Sequence, residues 1–195
     1  MGKLKLCVLH CTATPPSVQV TPEKIRQWHQ GPLDLFDQNH NLTGVLYKGK
    51  TYPNRRELPK EEIGGVAIDL LKGRGWRQVG YSILIDNHAK RHELVKVDDD
   101  QWIDSWEITN GVAGINSISM HVVTAGGVDA DGHAEDNRTP EQVEKLKEVM
   151  FEILEKHPQI QFAGHNQFSS KACPSYNVPR FCREIGVPER NIHQK

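Results

Sequence analysis

The sequence has few cysteines and no excess of charge of either sign. Its four cysteines, at positions 7, 11, 173 and 182, do not have the number or spacing of the disulfide framework of a small secreted domain. We therefore expect free thiols or metal ligands. Lysine plus arginine (24) nearly balance aspartate plus glutamate (25). This balance argues against nucleic-acid binding, because such proteins concentrate basic residues on one surface.

Long apolar runs are also missing. The longest, such as GVAIDLL at residues 65–71, are too short to cross a bilayer, so we expect no membrane insertion. The first residues, MGKLKLCVLHC, alternate polar with apolar side chains and lack the continuous apolar segment of a signal peptide. We expect synthesis in the cytoplasm without an export signal. A substrate outside the membrane would then be reached only after the membrane is permeabilised.

The periodicity of the apolar residues predicts one α/β domain over residues 1–195. Strands are predicted for KLKLCVLH (3–10), VGYSILI (79–85), HELVKV (92–97), INSISMHVVTAG (115–126) and IQFAGH (160–165). Helices are predicted for TPEKIRQWH (21–29), TPEQVEKLKEVMFEILEKH (139–157) and PRFCREIG (179–186). This order favours a mixed central sheet flanked by helices.

Residues from about 31 to 73 have no clear periodicity and resemble an insertion between the first helix and the next strand. Within this segment, GVLYKGKTY (44–52) is typical of a hairpin. The stretch IGGVAIDLLKG (63–73) predicts a short helix ending at Gly73.

The segment GHNQFSSKACPS (164–175) carries the residue types of a metal site. It places His165 eight residues before Cys173, with Lys171 and Pro174 on either side of the cysteine. Zinc prefers imidazole and thiolate ligands, and a catalytic zinc has three protein ligands and one open position. His10, at the end of the first strand, is the best candidate for the third ligand. Its neighbour Cys11 points to the opposite face of that strand.

Residue types alone leave other interpretations open. His10 is also compatible with a hydrogen-bonded histidine at a strand end, and Cys173 with an ordinary buried thiol. Cys173 and His165 could instead form a thiolate–imidazole pair for nucleophilic catalysis. Lys171 is compatible with a surface lysine, and Tyr81 with an aromatic residue of the core.

Several segments together resemble one enzyme family. VLHCTAT (8–14), GWRQVGYSILI (75–85), NSISMHVVTAGGVD (116–129) and GHNQFSSKACPSY (164–176) are similar to the zinc-dependent N-acetylmuramoyl-L-alanine amidases of type 2. This family includes bacteriophage T7 lysozyme and the peptidoglycan recognition proteins. The resemblance spans residues 4 to 182 apart from the stretch 30–73, and its specificity lies in the combination of motifs.

The resemblance implies a fold, a ligand set and a reaction. It implies the T7-lysozyme-like amidase fold and a Zn²⁺ ion bound by His10, His165 and Cys173. Tyr81 and Lys171 match the residues that assist catalysis in the family. The expected substrate is peptidoglycan, cut at the amide bond between N-acetylmuramic acid and L-alanine. Asn116 and Ser117 are candidate substrate contacts by their position alone.

The missing signal peptide favours a phage endolysin within this family. Two alternatives remain open at this point. One is a module that binds peptidoglycan fragments without cutting them. The other is an amidase that also regulates a partner protein, which a sequence motif cannot reveal.

The sequence departs from the family pattern at two positions. Many relatives have histidine directly after the tyrosine, where this chain has Ser82. His121 lies in a strand where relatives usually have an apolar residue or cysteine. We interpret His121 as a packing residue or as a support behind a metal ligand, and not as a ligand.

Overall fold

The computed structural model describes residues 2–194. Its helices in chain order are α1 (Pro22–Gln30), α2 (Pro140–Lys156) and α3 (Val178–Glu184). Its strands in chain order are β1 (Gly2–Lys3), β2 (Leu6–Cys11), β3 (Leu33–Phe36), β4 (Leu42–Tyr47), β5 (Lys50–Tyr52), β6 (Glu62–Ile63), β7 (Val66–Ala67), β8 (Ile83–Ile85), β9 (Arg91–Glu93), β10 (Trp102–Ile103), β11 (Ser119–Thr124) and β12 (Gln161–Gly164). Within this range, no helix has both the length and the apolar composition needed to span a membrane.

The chain divides into two compact units. The larger comprises residues up to Val20 and from Gly80 onwards, and the smaller comprises Thr21–Val79. The larger unit contains a five-stranded sheet in the order β12-β2-β11-β8-β9. Its first four strands are parallel and β9 pairs antiparallel with β8, which confirms the predicted mixed sheet. The prediction of one domain with an insertion stays a prediction.

The two faces of this sheet have different neighbours. Cys7 and Leu9 of β2 pack in the main core with the buried stripe of α2, which includes Leu146 and Met150. Leu6 and Val8 point the other way, into a smaller cluster with Val112, Ile115 and Ile118. Since side chains alternate along a strand, His10 lies on this second face.

The start of α2 is fixed by a capping box. Thr139 accepts a hydrogen bond from Gln142 N, and Gln142 Oε1 accepts one from Thr139 N. The Gln142 amide also donates to the carbonyl oxygens of Asp86 (2.9 Å) and Ala125 (3.1 Å). Gln142 is only 3% exposed, so its side chain ties the helix to the ends of two strands.

This arrangement makes Gln142 more important for stability than Thr139. We expect Gln142→Ala to lower the free energy of unfolding by about 3 kcal/mol, because it removes three hydrogen bonds, including the one to the carbonyl group of the buried Ala125. Thr139→Ala removes only a cap and should cost about 1 kcal/mol. Urea unfolding of both variants measures the difference. Equal losses in the two variants would contradict a tying role for Gln142.

The smaller unit has its own sheet and its own core. Strands β3, β4 and β5 form an antiparallel sheet, which confirms the predicted hairpin at residues 44–52. Val45, Tyr47, Leu58 and Ile68 form a buried cluster beside it. The Arg55 guanidinium contributes as well, donating two hydrogen bonds to the carboxylate of Asp34.

The predicted helix at residues 63–73 is wrong. The chain there forms the hairpin β6–β7, followed by a short 3-10 turn at Ile68–Leu70. Gly64 and Gly65 connect the two strands with φ angles of 59° and 75°. Two consecutive glycines readily adopt this left-handed conformation, which closes a tight hairpin and interrupts a helix.

Candidate metal centre and active site

Two parallel strands of the larger unit bring His10 and His165 together. His10 is near the carboxyl end of β2, and Gly164, the last residue of β12, pairs with Leu9 of β2. His165 follows directly and so arrives beside His10. The centroids of the two imidazole rings are 4.8 Å apart. Adjacent parallel strands thus place two histidines 155 residues apart in sequence at one edge of the sheet.

A loop closed on itself adds Cys173 to this pair. Asn166 N donates a hydrogen bond to the carbonyl oxygen of Cys173 (2.7 Å), so that the chain returns to the start of the loop. The thiol sulfur lies 3.7 Å from His10 Nδ1 and 3.3 Å from the backbone nitrogen of Cys11. The candidate ligand atoms of His10, His165 and Cys173 all lie within 4.8 Å of one another.

The surroundings of this group change the pKa of two of its members. The contact with Cys11 and burial raise the pKa of the Cys173 thiol. Burial and the charge of Lys171 lower the pKa of His165. Neutral imidazole and thiolate are the forms that bind zinc. The donor set and its spacing therefore fit a zinc ion.

Tyr81 and Lys171 lie close to the same group. The ring centroid of Tyr81 is 5.2 Å from that of His10, and the tyrosine is half-buried. Lys171 is exposed, and its charge contributes to the lowered pKa of His165 and partly offsets the raised pKa of Cys173. The structure thus brings together all five residues predicted as ligands and catalytic groups.

The predicted substrate contacts lie in one 3-10 turn, Asn116–Ile118. The side-chain oxygen of Asn116 accepts a hydrogen bond from Val112 N (2.8 Å), so it stabilises the turn that precedes β11. Ser117 is exposed. Their contact with substrate stays a prediction.

His121 contacts the metal group in a way that the sequence did not specify. Its Nδ1 lies 3.0 Å from Nε2 of His10, on the opposite side of the His10 ring from Cys173. Burial lowers the pKa of His121 to about 3. Ser82 pairs with the backbone of His121 through two hydrogen bonds. The sequence predicted that His121 packs in the strand or supports a ligand. It could not show that the ligand is His10, because this contact depends on how the strands pair.

A second group of possible ligands lies in the loop after β11. Asp129, Asp131 and His133 have suitable atoms within 4.8 Å of one another. The Asp129 carboxylate accepts hydrogen bonds from the backbone nitrogens of Asp131 and His133, so it already shapes its own loop. Asp131 and His133 are exposed. We assign no function to this cluster.

Known proteins are similar to this chain in sequence and in fold. At 28% identity the chain is similar to the endolysin of Enterobacteria phage K11, over 90% of this chain and 83% of the relative. It is 26% identical to the endolysin of Escherichia phage T7, over 89% of this chain and 82% of the relative. Among solved structures, the Ph2119 endolysin from a Thermus scotoductus bacteriophage aligns with a TM-score of 0.56 and 19% identity, covering 95% of this chain and 87% of that one.

The structural alignment confirms the predicted fold. The family of the chain is shown by a match to a family model. The model for N-acetylmuramoyl-L-alanine amidases matches residues 2–176, which include every predicted ligand and catalytic residue. The chain belongs to the N-acetylmuramoyl-L-alanine amidase family and is a peptidoglycan hydrolase.

Proposed function

We propose that this amidase is zinc-dependent, that His10, His165 and Cys173 hold the ion, and that the protein serves as a phage endolysin. The observation that carries the proposal is the spacing of the three ligand atoms, all within 4.8 Å of one another, beside Tyr81 and Lys171. Such a group has the ligand types and number of a catalytic zinc site. When bound, zinc supplies a Lewis acid that polarises oxygen and lowers the pKa of water.

The reaction is hydrolysis of the amide between the lactyl group of N-acetylmuramic acid and L-alanine. Water adds to the carbonyl carbon, the carbonyl oxygen gains negative charge, and the C–N bond then breaks. The lactyl group leaves as a carboxylate and L-alanine as an amine that has gained a proton. These changes require a positive charge or hydrogen-bond donors near the oxygen and a proton source near the nitrogen.

Lys171 and Tyr81 supply these groups in the proposal. The Lys171 ammonium, two residues before Cys173, stabilises the negative charge on the carbonyl oxygen. The Tyr81 hydroxyl donates a hydrogen bond to the same oxygen or assists proton transfer to the leaving amine. Asn116 and Ser117 remain proposed contacts for the substrate.

The role as an endolysin is supported by the relatives. The K11 and T7 proteins, which match over most of their length, are endolysins. We propose that this chain likewise acts on the bacterial cell wall, with a muropeptide segment of peptidoglycan as its substrate.

Digestion of purified sacculi identifies the bond that is cut. We expect the protein to release stem peptides whose new amino terminus is L-alanine, while the glycan strands stay intact and gain lactyl carboxylates. Amino-terminal labelling and mass spectrometry of the products measure both. Binding of muropeptides without new alanine termini would identify a binding module instead. New reducing sugar ends would identify a glycosidase, and either result would refute the proposal.

A further inference from the structure

The two ring nitrogens of His10 have different neighbours. Nδ1 lies 3.7 Å from Cys173 Sγ, towards the proposed metal, and Nε2 lies 3.0 Å from Nδ1 of His121. A neutral imidazole carries its proton on only one nitrogen. Only the tautomer protonated at Nε2 leaves the Nδ1 lone pair available to a cation. A hydrogen-bond partner that keeps the proton on Nε2 therefore keeps His10 in the form that can bind a metal through Nδ1.

A hydrogen-bond chain behind His10 has a defined direction. Ser119 Oγ lies 2.8 Å from the carbonyl oxygen of Ile115 and 3.0 Å from His121 Nε2. A carbonyl oxygen can only accept, so the single hydroxyl proton of Ser119 points to Ile115. Ser119 Oγ must then accept the proton of His121 Nε2. The Ile115 carbonyl therefore sets the donor and the acceptor in both hydrogen bonds of Ser119.

The next bond in the chain ends at His10. His121 is 0% exposed, and its ring nitrogens contact a serine hydroxyl and another imidazole, so a charged form would be costly. With its one proton on Nε2, His121 offers the lone pair of Nδ1. His10 must therefore donate from Nε2, which leaves Nδ1 unprotonated.

From this chain we infer that His121 is a positioning residue, which with Ser119 and the Ile115 carbonyl holds His10 in the tautomer whose Nδ1 can bind a metal. Partners of this kind orient ligand histidines in metal sites and typically change metal affinity by about 10–100-fold. The inference rests on the proposed function only in taking Nδ1 of His10 as a zinc ligand.

The surroundings of His121 are shaped to hold its ring. Ser119 and His121 are two residues apart on β11 and so share the face on which His10 lies on the neighbouring β2. Gly111 passes directly over the ring. A Cβ atom at position 111 would lie 2.3 Å from His121 Nδ1 and 2.4 Å from its Cγ. A side chain there would displace the nitrogen that contacts His10.

Nitrogen NMR of the metal-free, full-length protein tests the direction of the hydrogen bonds behind His10. At a pH well above the ordinary pKa of histidine, about 6.5, the ring nitrogen shifts report which nitrogen carries the proton. We expect His10 and His121 both protonated at Nε2, with a scalar coupling across the bond from His10 Nε2 to His121 Nδ1. Mere packing of His121 would not produce this coupling. A proton on His10 Nδ1, or no coupling, would overturn the inference.

Variants test the consequence for the metal. His121→Leu removes the acceptor and should weaken zinc binding about 10–100-fold in competition with a chelator. His121→Asn places an amide oxygen near the position of Nδ1 and should restore most of the affinity. Ser119→Ala, which removes the fixed end of the chain, should increase the fraction of His10 protonated at Nδ1. Met120→Leu, a buried change on the opposite face of the same strand, serves as the control and should leave zinc affinity unchanged.

The outcomes separate this inference from the proposed function. Unchanged zinc affinity in His121→Leu, or equal losses in the Leu and Asn variants, would overturn the role of the hydrogen bond. If His121→Leu does not fold, the Ser119→Ala spectrum decides, and an unchanged His10 tautomer there would also overturn it. If the native protein binds no zinc, the proposed function fails, while the NMR spectrum of the metal-free chain still decides the inference.

Discussion

Replacing Lys171 with alanine is expected to lower kcat on peptidoglycan by about 10²–10³ while leaving the metal bound. The reason is that Lys171 is not one of the three ligands, but its charge reaches both His165 and Cys173. In the proposed reaction this charge stabilises the oxygen that becomes negative. An interaction made mainly in the transition state changes kcat more than KM.

Tyr81→Phe should behave in the same way, because it removes only the hydroxyl and keeps the ring beside His10. Zinc content and thermal unfolding should stay those of the native protein. Lys147→Ala on α2 and Tyr52→Phe in β5 remove the same groups from positions with no proposed role, and they should keep full activity. Near-native turnover by Lys171→Ala or Tyr81→Phe would remove that residue from the mechanism.

The elements with strong local signals could be predicted from sequence. Helix α2 has a capping box at Thr139 and Gln142 and a regular apolar stripe, and the structure contains both. The strand ending at His10 was visible from its alternation. The structure of segment 63–73 could not be predicted, because its apolar residues suited either a helix or a strand. Gly64 and Gly65, near its start, form the turn of a hairpin.

The candidate site was predictable as a set of residues but not as a set of contacts. The motifs around His10 and Cys173 predicted the candidate ligands through their resemblance to a family, and the structure places the candidate ligand atoms within 4.8 Å of one another. The contact between His121 and His10 depends on the register of β11 against β2, in which His121 pairs with Val8. Register between strands more than a hundred residues apart is a tertiary property that local patterns do not encode.

Replacing Cys173 with serine is expected to remove most of the zinc and reduce activity to background. Serine has nearly the same size, but its hydroxyl is a poor zinc ligand where a thiolate is a strong one. The fold should persist, since Cys173 is only partly buried and lies in a loop. Cys182→Ser is a control, because this thiol is buried in the main core and should affect stability and not zinc content.

The most direct test of the central claim is the release of amino-terminal alanine from sacculi before and after removal of the metal. The native protein should contain about one zinc per chain and lose its activity when a chelator removes the ion. Added zinc should restore the activity of the native chain and fail to restore that of Cys173→Ser. Undiminished alanine release by metal-free protein, or full zinc content and activity in Cys173→Ser, would contradict a zinc centre formed by His10, His165 and Cys173.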